Sequence, residues 1–165
     1  MTETQDKRGG ARVRVPPPLV FLVGIVGGAL LGAFVWPLSA PFSRPADMAL
    51  ASILGLFGLF LTLGALRWFR RTGQEPQPWK PSPELIAQGP YRFSRNPMYI
   101  GMALLQSSLG LVFDNVWIVL LAATALIVIH YTAVLPEERY LAERFGDAYS
   151  RYAASVPRYL GRKGA

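Results

Sequence analysis

Cysteine is absent from the chain, and histidine occurs once, as His130. The first absence excludes disulfides, thiolate nucleophiles, cysteine–metal sites and a C-terminal prenylation box. With one imidazole and no carboxylates at ligand spacing, no metal-binding set remains. No glycine-rich phosphate loop follows a strand pattern, which excludes a soluble dinucleotide fold. Ser94 has no His or Asp neighbour in sequence that would mark it as a nucleophile. Acidic residues are also scarce, 10 against 17 Lys and Arg, for a net charge of +7.

What is present is apolar. Of the 165 residues, 52% are hydrophobic, and the mean hydropathy is positive, which is unusual for a soluble domain. The apolar residues form four blocks: Pro18 to Leu38, Met48 to Leu66, Met98 to Val112 and Val116 to Leu135. The first, second and fourth are close to the roughly 20 residues that cross a hydrocarbon core. The third is shorter and would span with little tilt or in a thinned region. A soluble bundle would be left with too little polar surface. The expected fold is therefore all-α and integral to a membrane, with about four transmembrane helices. Spans 3 and 4 form a helical hairpin, and an amphipathic helix follows. The stretch before Ala40 has the look of a signal peptide, but its apolar run is too long, so it reads as a retained first span.

Basic residues set the expected orientation. Lys7, Arg8, Arg12 and Arg14 precede the first span. Arg67, Arg70, Arg71, Lys80, Arg92 and Arg95 lie in the second connection. Arg139, Arg144, Arg151, Arg158, Arg162 and Lys163 follow the fourth span, whereas the first connection has only Arg44 and the third none. Cytoplasmic loops collect Lys and Arg, so both termini and the second connection are expected in the cytoplasm. Anionic membrane lipids then account for the net charge. Nucleic acid is not implied, because the charge is spread over three segments and not gathered in one stripe. Small size and spare loops suggest a prokaryotic inner (plasma) membrane.

Residues 1–15 read as a disordered basic tail and 16–71 as two N-terminal spans. Gly24, Gly28 and Gly32 recur every four residues and allow close helix approach, read as packing within the fold. Pro76, Pro78, Pro81 and Pro83 make 72–83 extended. Asp114-Asn115 makes a tight turn. Pro136 reads as a kink or break. Glu137 to Tyr152 reads as one amphipathic helix, with Leu141, Phe145, Ala148, Tyr149 and Tyr152 on one face.

Two polar clusters stand out. The first is Gly89-Pro90-Tyr91-Arg92-Phe93-Ser94-Arg95-Asn96-Pro97-Met98-Tyr99, and the second is Glu137-Glu138. Counted from the Asp114-Asn115 turn, Asn96 and Glu137 differ by about four residues, roughly 6 Å along an antiparallel hairpin. Tyr91, Arg95, Asn96, Tyr99, Glu137 and Glu138 should therefore crowd one membrane edge. Carboxylates there can bind an amine or ribose hydroxyls, and Tyr99 can offer a π-face to a cation such as a sulfonium. Each group also has a plainer reading. Arg92 and Arg95 serve as interfacial anchors, and Glu137-Glu138 as a solvated acidic first turn. His130 is either a functional intramembrane group or a hydrogen-bonded packing residue. Arg158, after Pro157, either reaches back to the site or anchors the tail.

The two clusters in this order resemble the integral-membrane methyltransferases related to isoprenylcysteine carboxyl methyltransferase and phospholipid N-methyltransferase. The similarity covers about residues 83 to 160. It rests on Gly89, Tyr91, Arg95-Asn96-Pro97-Met98-Tyr99 and Gly101, then a hairpin, then Glu137-Glu138, Leu141, Phe145-Gly146, Tyr149, Tyr152 and Val156-Pro157-Arg158. The resemblance implies that 72–165 is a cofactor-binding half for S-adenosyl-L-methionine. Carried over by position, Leu85 and Ile86 would line the pocket. Tyr91, Asn96, Pro97, Met98 and Tyr99 would contact the cofactor, and Glu137 would hold a polar part of it. Arg95, His130, Glu138 and Arg158 would lie beside the substrate or behind these residues. No catalytic residue is assigned. Where the family often has His, this chain has Asn96, which cannot titrate near neutrality and so suits positioning better than proton transfer. Before the Glu pair stands His130-Tyr131-Thr132-Ala133, without the Arg that binds a prenylcysteine carboxylate.

The leading expectation is an enzyme moving a methyl group from S-adenosyl-L-methionine to a lipophilic small-molecule or lipid acceptor at the cytoplasmic membrane edge. Two alternatives stand beside it: a membrane NADPH-dependent reductase of related architecture, and a non-enzymatic membrane scaffold.

Overall fold

A computed structural model describes residues 10, 11, 13 and 15–161; the basic residues Lys7, Arg8, Arg12, Arg14, Arg162 and Lys163, and most of the expected tail, lie outside them. Helix α1 (Pro17–Phe34) begins on prolines, tolerated there because the first N–H groups of a helix have no intrahelical partner. Helix α2 (Arg44–Arg71) is the longest at 28 residues. A short 3-10 turn (Gly89–Arg92) precedes α3 (Pro97–Val112). Helix α4 (Val116–Ile129) is followed by a π-turn (His130–Val134), α5 (Leu135–Phe145) and α6 (Asp147–Ser155). No strand occurs among the described residues.

Three helical stretches are long and apolar enough to cross a membrane: Pro17–Phe34, Arg44–Arg71 and the continuous run Val116–Phe145. The 16 residues of α3 reach about 24 Å at 1.5 Å each, short of a full hydrocarbon core. Large apolar side chains point outward along the bundle, Phe34 at 81%, Leu56 at 71% and Phe60 at 66% exposure. An outward face of this kind is stable against lipid, and the protein is a membrane protein.

The hairpin α3–α4 is the centre of the bundle, with α2 against α3 and α1 against α4. Small residues set these contacts. A Cβ at Gly58 would lie 2.8 Å from the carbonyl oxygen of Gly101, and one at Gly101 would lie 2.7 Å from that of Gly58. The reciprocal pair lets the α2 and α3 backbones touch. A Cβ at Gly28 would meet Ile118 of α4 at 2.7 Å, so the glycine face of α1 packs inside the fold. The turn forms at Asp114, which takes a positive φ of 52°. Asn115 caps α4 by accepting from the Ile118 N–H at 3.3 Å.

Two expectations are corrected. Pro136 does not break the helix. The Leu135 N–H donates to the His130 carbonyl five residues back. This wider π-turn accommodates a residue that lacks an N–H and crowds the carbonyl four residues before it. The break falls instead at Gly146, φ 52° and ψ −123°, a conformation that only glycine adopts readily. The expected single amphipathic helix over 137–152 is thus two helices. Tyr149 and Tyr152 of α6 fold against Val156, Leu85, Leu141 and Phe145.

Candidate functional site

The site grows from the hairpin end opposite the Asp114 turn. Pro97 opens α3 and Asn96 is its N-cap, so Tyr99 sits on the first helical turn. Glu137 and Glu138 sit on the first turn of α5. The antiparallel hairpin brings the two turns side by side, and the Tyr99 hydroxyl donates to Glu137 Oε1.

Glu138 faces another way. Its Oε1 lies 2.9 Å from Arg95 NH1. Its carboxylate also takes a two-pronged contact from Arg158, with NH2 2.7 Å and Nε 3.0 Å away. Two guanidiniums thus neutralise Glu138, while Glu137 is held through one oxygen by the Tyr99 hydroxyl. Arg95 NH1 also donates to the Tyr149 hydroxyl at 3.2 Å, and the Tyr152 hydroxyl donates to the Tyr91 carbonyl at 2.8 Å.

The tail behind α6 locks the loop before α3. The Arg95 N–H donates to the Pro157 carbonyl at 2.9 Å. Ser94 Oγ and Asn96 Nδ2 both donate to the Arg158 carbonyl, at 3.2 and 3.0 Å. Arg158 thereby holds both clusters, its carbonyl on the loop and its guanidinium on Glu138. His130 lies elsewhere, sharing a hydrogen bond of 3.0 Å with Tyr159 through Nδ1.

These residues surround one cavity. Its walls include Leu85, Ile86, Tyr91, Asn96, Met98, Tyr99 and Glu137, with Arg95 and Glu138. Of the expected cofactor residues, only Pro97 is absent from the wall; it is buried beneath it. Asn96 lines the wall but has given its amide N–H to Arg158. His130 and Arg158 do not line it, and Arg92 is exposed.

Tyr149 and Tyr152, marked in the sequence by the amphipathic face and the resemblance, also join the wall, whereas Phe69, Gln74, Gln77 and Tyr140 carried no sequence signal of their own. The proline density of 76–83 was the available clue, since prolines fix a backbone that can serve as a wall. The connection is tied down by Gln74 Nε2 donating to the Glu84 carbonyl at 3.1 Å. The Ser82 N–H donates to the Tyr140 hydroxyl at 3.1 Å. Ala11 also enters the wall, its N–H donating to the Pro78 carbonyl at 2.7 Å.

The cavity is rich in acid and phenol. Among the described residues, Glu75, Glu84, Glu137 and Glu138 line it with one cation, Arg95. Burial raises the Tyr91 phenol well above its ordinary range, and the charge of Glu137 adds to it. Burial likewise raises Tyr152, with Tyr149 adding. Both stay protonated and neutral through the physiological range. Two wall residues carry buried polar atoms without a partner among the described residues, Arg95 Nε and Gln77 Oε1. Such atoms are costly to leave unmet, by about 1–3 kcal/mol each. The combination suits a cationic, polyhydroxylated ligand: π-faces for a positive charge and a carboxylate for hydroxyl or ammonium donors.

A family profile described as phospholipid methyltransferase matches residues 46–148, from the first turn of α2 to the first turn of α6. No curated protein matches the chain. The match takes in the hairpin, both polar clusters and the proline-rich wall.

Proposed function

The chain belongs to the phospholipid methyltransferase family, and from that premise we propose that it moves a methyl group from S-adenosyl-L-methionine to a lipophilic acceptor drawn from the bilayer. The observation that carries this reading is the Tyr99–Glu137 contact, which joins two distant clusters at the wall of one acid- and phenol-lined cavity. The site residues we propose for the cofactor are Leu85, Ile86, Tyr91, Asn96, Pro97, Met98, Tyr99 and Glu137.

When bound, S-adenosyl-L-methionine supplies an electrophilic methyl group on a sulfonium. The chain's own residues then bind, orient and exclude water. Tyr91 and Tyr99 present neutral aromatic faces, which favour a cation without competing for the methyl group. Glu137, held by Tyr99, accepts from ligand hydroxyl or amino groups. Leu85, Ile86 and Met98 keep water from the reacting centre. Arg95, braced by Glu138 and Tyr149, stiffens the wall beside them. Asn96 and Pro97 act from beneath, fixing the loop on which Tyr99 starts its helix. Methyl transfer needs in-line placement, so rigid positioning supplies much of the rate.

We place the cavity at the cytoplasmic membrane edge, with both termini cytoplasmic and the protein in a prokaryotic inner membrane. The distribution of Lys and Arg supports this orientation. A reductase reading loses ground at the cavity, because the described wall residues, four carboxylates with one already-paired arginine, suit the 2′-phosphate of NADPH poorly. The test is isothermal titration of S-adenosyl-L-methionine and S-adenosylhomocysteine into the detergent-purified protein, with NADPH as control. Micromolar binding of either sulfur compound is expected. Binding of NADPH alone, or of nothing, overturns the proposal.

A further inference from the structure

The proline-rich connection between α2 and the 3-10 turn forms one wall of the cavity, yet it is poorly equipped to tie itself down. Pro76, Pro78, Pro81 and Pro83 offer carbonyls but no N–H groups. Gln74 on the Glu84 carbonyl and the Ser82 N–H on the Tyr140 hydroxyl, both at 3.1 Å, hold it from its flanks. Between these ties, the carbonyls of Pro78 and Trp79 need donors from elsewhere in the chain.

The segment ahead of α1 supplies them. The Gly10 N–H donates to the Trp79 carbonyl at 2.9 Å, and the Ala11 N–H to the Pro78 carbonyl at 2.7 Å. A Cβ at Gly10 would lie 2.2 Å from the Lys80 carbonyl oxygen and 2.5 Å from that of Pro78. Only a residue without a Cβ lets the two main chains come this close. Ala11 is buried, at 3% exposure, and it lines the cavity.

Val13 packs against the apolar cluster that holds Tyr99, Ala133 and Val134. Gly10 and Ala11 on the connection, and Val13 on the hairpin, thus reach both walls of the cavity. All three residues lie ahead of the family match, which begins at residue 46, and outside the two polar clusters. A wall fixed before the ligand arrives loses less freedom when the ligand binds, and affinity rises accordingly.

We propose that Gly10 and Ala11 are positioning residues of the cofactor site, which hold the proline-rich wall in its binding place by main-chain pairing with Pro78 and Trp79. This inference rests on the methyltransferase reading above and adds a part of the chain that the family match does not reach. Coupling of this kind is reciprocal: a contact that strengthens ligand binding is strengthened by the ligand to the same factor.

The experiment uses the full-length protein in detergent, with S-adenosylhomocysteine as the probe. Titration into Gly10→Val should give an affinity about tenfold below wild type, the worth of one to two net hydrogen bonds. Amide hydrogen exchange adds a readout that a purely structural contact would not move. In wild-type protein, S-adenosylhomocysteine should slow exchange at the Gly10 and Ala11 N–H groups by about the same tenfold. The Val116 N–H, which donates to the Leu38 carbonyl at the far end of the hairpin, should keep its rate. Unchanged affinity in Gly10→Val overturns the proposal, and so does exchange at Gly10 and Ala11 that is indifferent to the ligand. Should Gly10→Val not fold, the wild-type exchange measurement decides alone. Wild-type protein that takes up no S-adenosylhomocysteine overturns the methyltransferase reading itself, whereas uptake without slowed exchange overturns the role of Gly10 and Ala11 alone.

Discussion

The two ends of the α3–α4 hairpin are held by different kinds of bond. At the turn end, side chains grip main chain. Asn115 Nδ2 donates to the Gly28 carbonyl at 3.1 Å, and Asp114 Oδ1 accepts from the Ala40 N–H at 2.8 Å. Arg44 donates to the Leu111 and Val112 carbonyls, and Trp117 Nε1 to the Trp36 carbonyl. At the cavity end Ser94, Asn96 and Tyr152 also donate to main chain, but there side chains grip side chains as well: Tyr99 with Glu137, Arg95 and Arg158 with Glu138, Arg95 with Tyr149. Unmet buried atoms occur at both ends among the described residues: Arg95 Nε and Gln77 Oε1 near the cavity, and both carboxylate oxygens of Asp47 near the turn. Latches onto main chain complete a fold. A side-chain network around a cavity prepares a surface for something else. The same hairpin is thus a structural clasp at one end and a binding edge at the other.

Replacement of Glu137 probes this contrast most strongly. Glu137→Ala should weaken S-adenosylhomocysteine binding about a hundredfold, the loss of a buried charge-assisted hydrogen bond. Its stability should fall by only about 1 kcal/mol, since the group left unmet is a single tyrosine hydroxyl. Tyr99→Ala should follow in the same direction. Unchanged affinity in both variants would remove the site from this end of the hairpin.

Glu138→Ala should do the reverse. It leaves Arg95 and Arg158 without their shared carboxylate, at a side chain only 15% exposed. The expected cost is about 2 kcal/mol of stability, read as a lowered unfolding midpoint in detergent. A loss of affinity as deep as that of Glu137→Ala would show that the two glutamates act as one unit. Asn115→Ala, at the other end, removes a cap and the bond to Gly28. About 1 kcal/mol is expected there, with cofactor affinity unchanged. A changed affinity would mean that the clasp and the binding edge are coupled through the helices.

The turn end was readable from sequence because its signals are local. Asp114-Asn115 is a turn pair, and the four-residue glycine spacing marks a packing face. The meeting of Tyr99 with Glu137 was readable by counting, because rise per residue is constant along a helix. Pro136 was readable as a disturbance of the helix but not as a π-turn before it, because hydrophobic periodicity carries no trace of one extra residue in a turn. Gly146 was passed over inside an amphipathic pattern that continues across it. Gln74, Gln77 and the grip of Arg158 on Ser94 and Asn96 join segments 60 or more residues from the tail to the loop, or lie in a stretch with no period at all. Nothing short-range encodes them.

His130 allows the finest test of the comparison. It sits on the cavity side of the hairpin, on the π-turn, yet its imidazole is turned to Tyr159 and is absent from the cavity wall. If its role is packing, Tyr159→Phe should remove one half-exposed hydrogen bond and cost about 0.5 kcal/mol of stability. Cofactor affinity and turnover should stay as they were. A fall in turnover with affinity preserved would instead tie the imidazole to the acceptor's side of the reaction. His130→Gln then separates the two roles, because glutamine can still bond to Tyr159 but cannot take up a proton near neutrality. Recovery of turnover in His130→Gln would leave His130 a packing residue at a binding edge. Its continued loss would make the π-turn part of the chemistry.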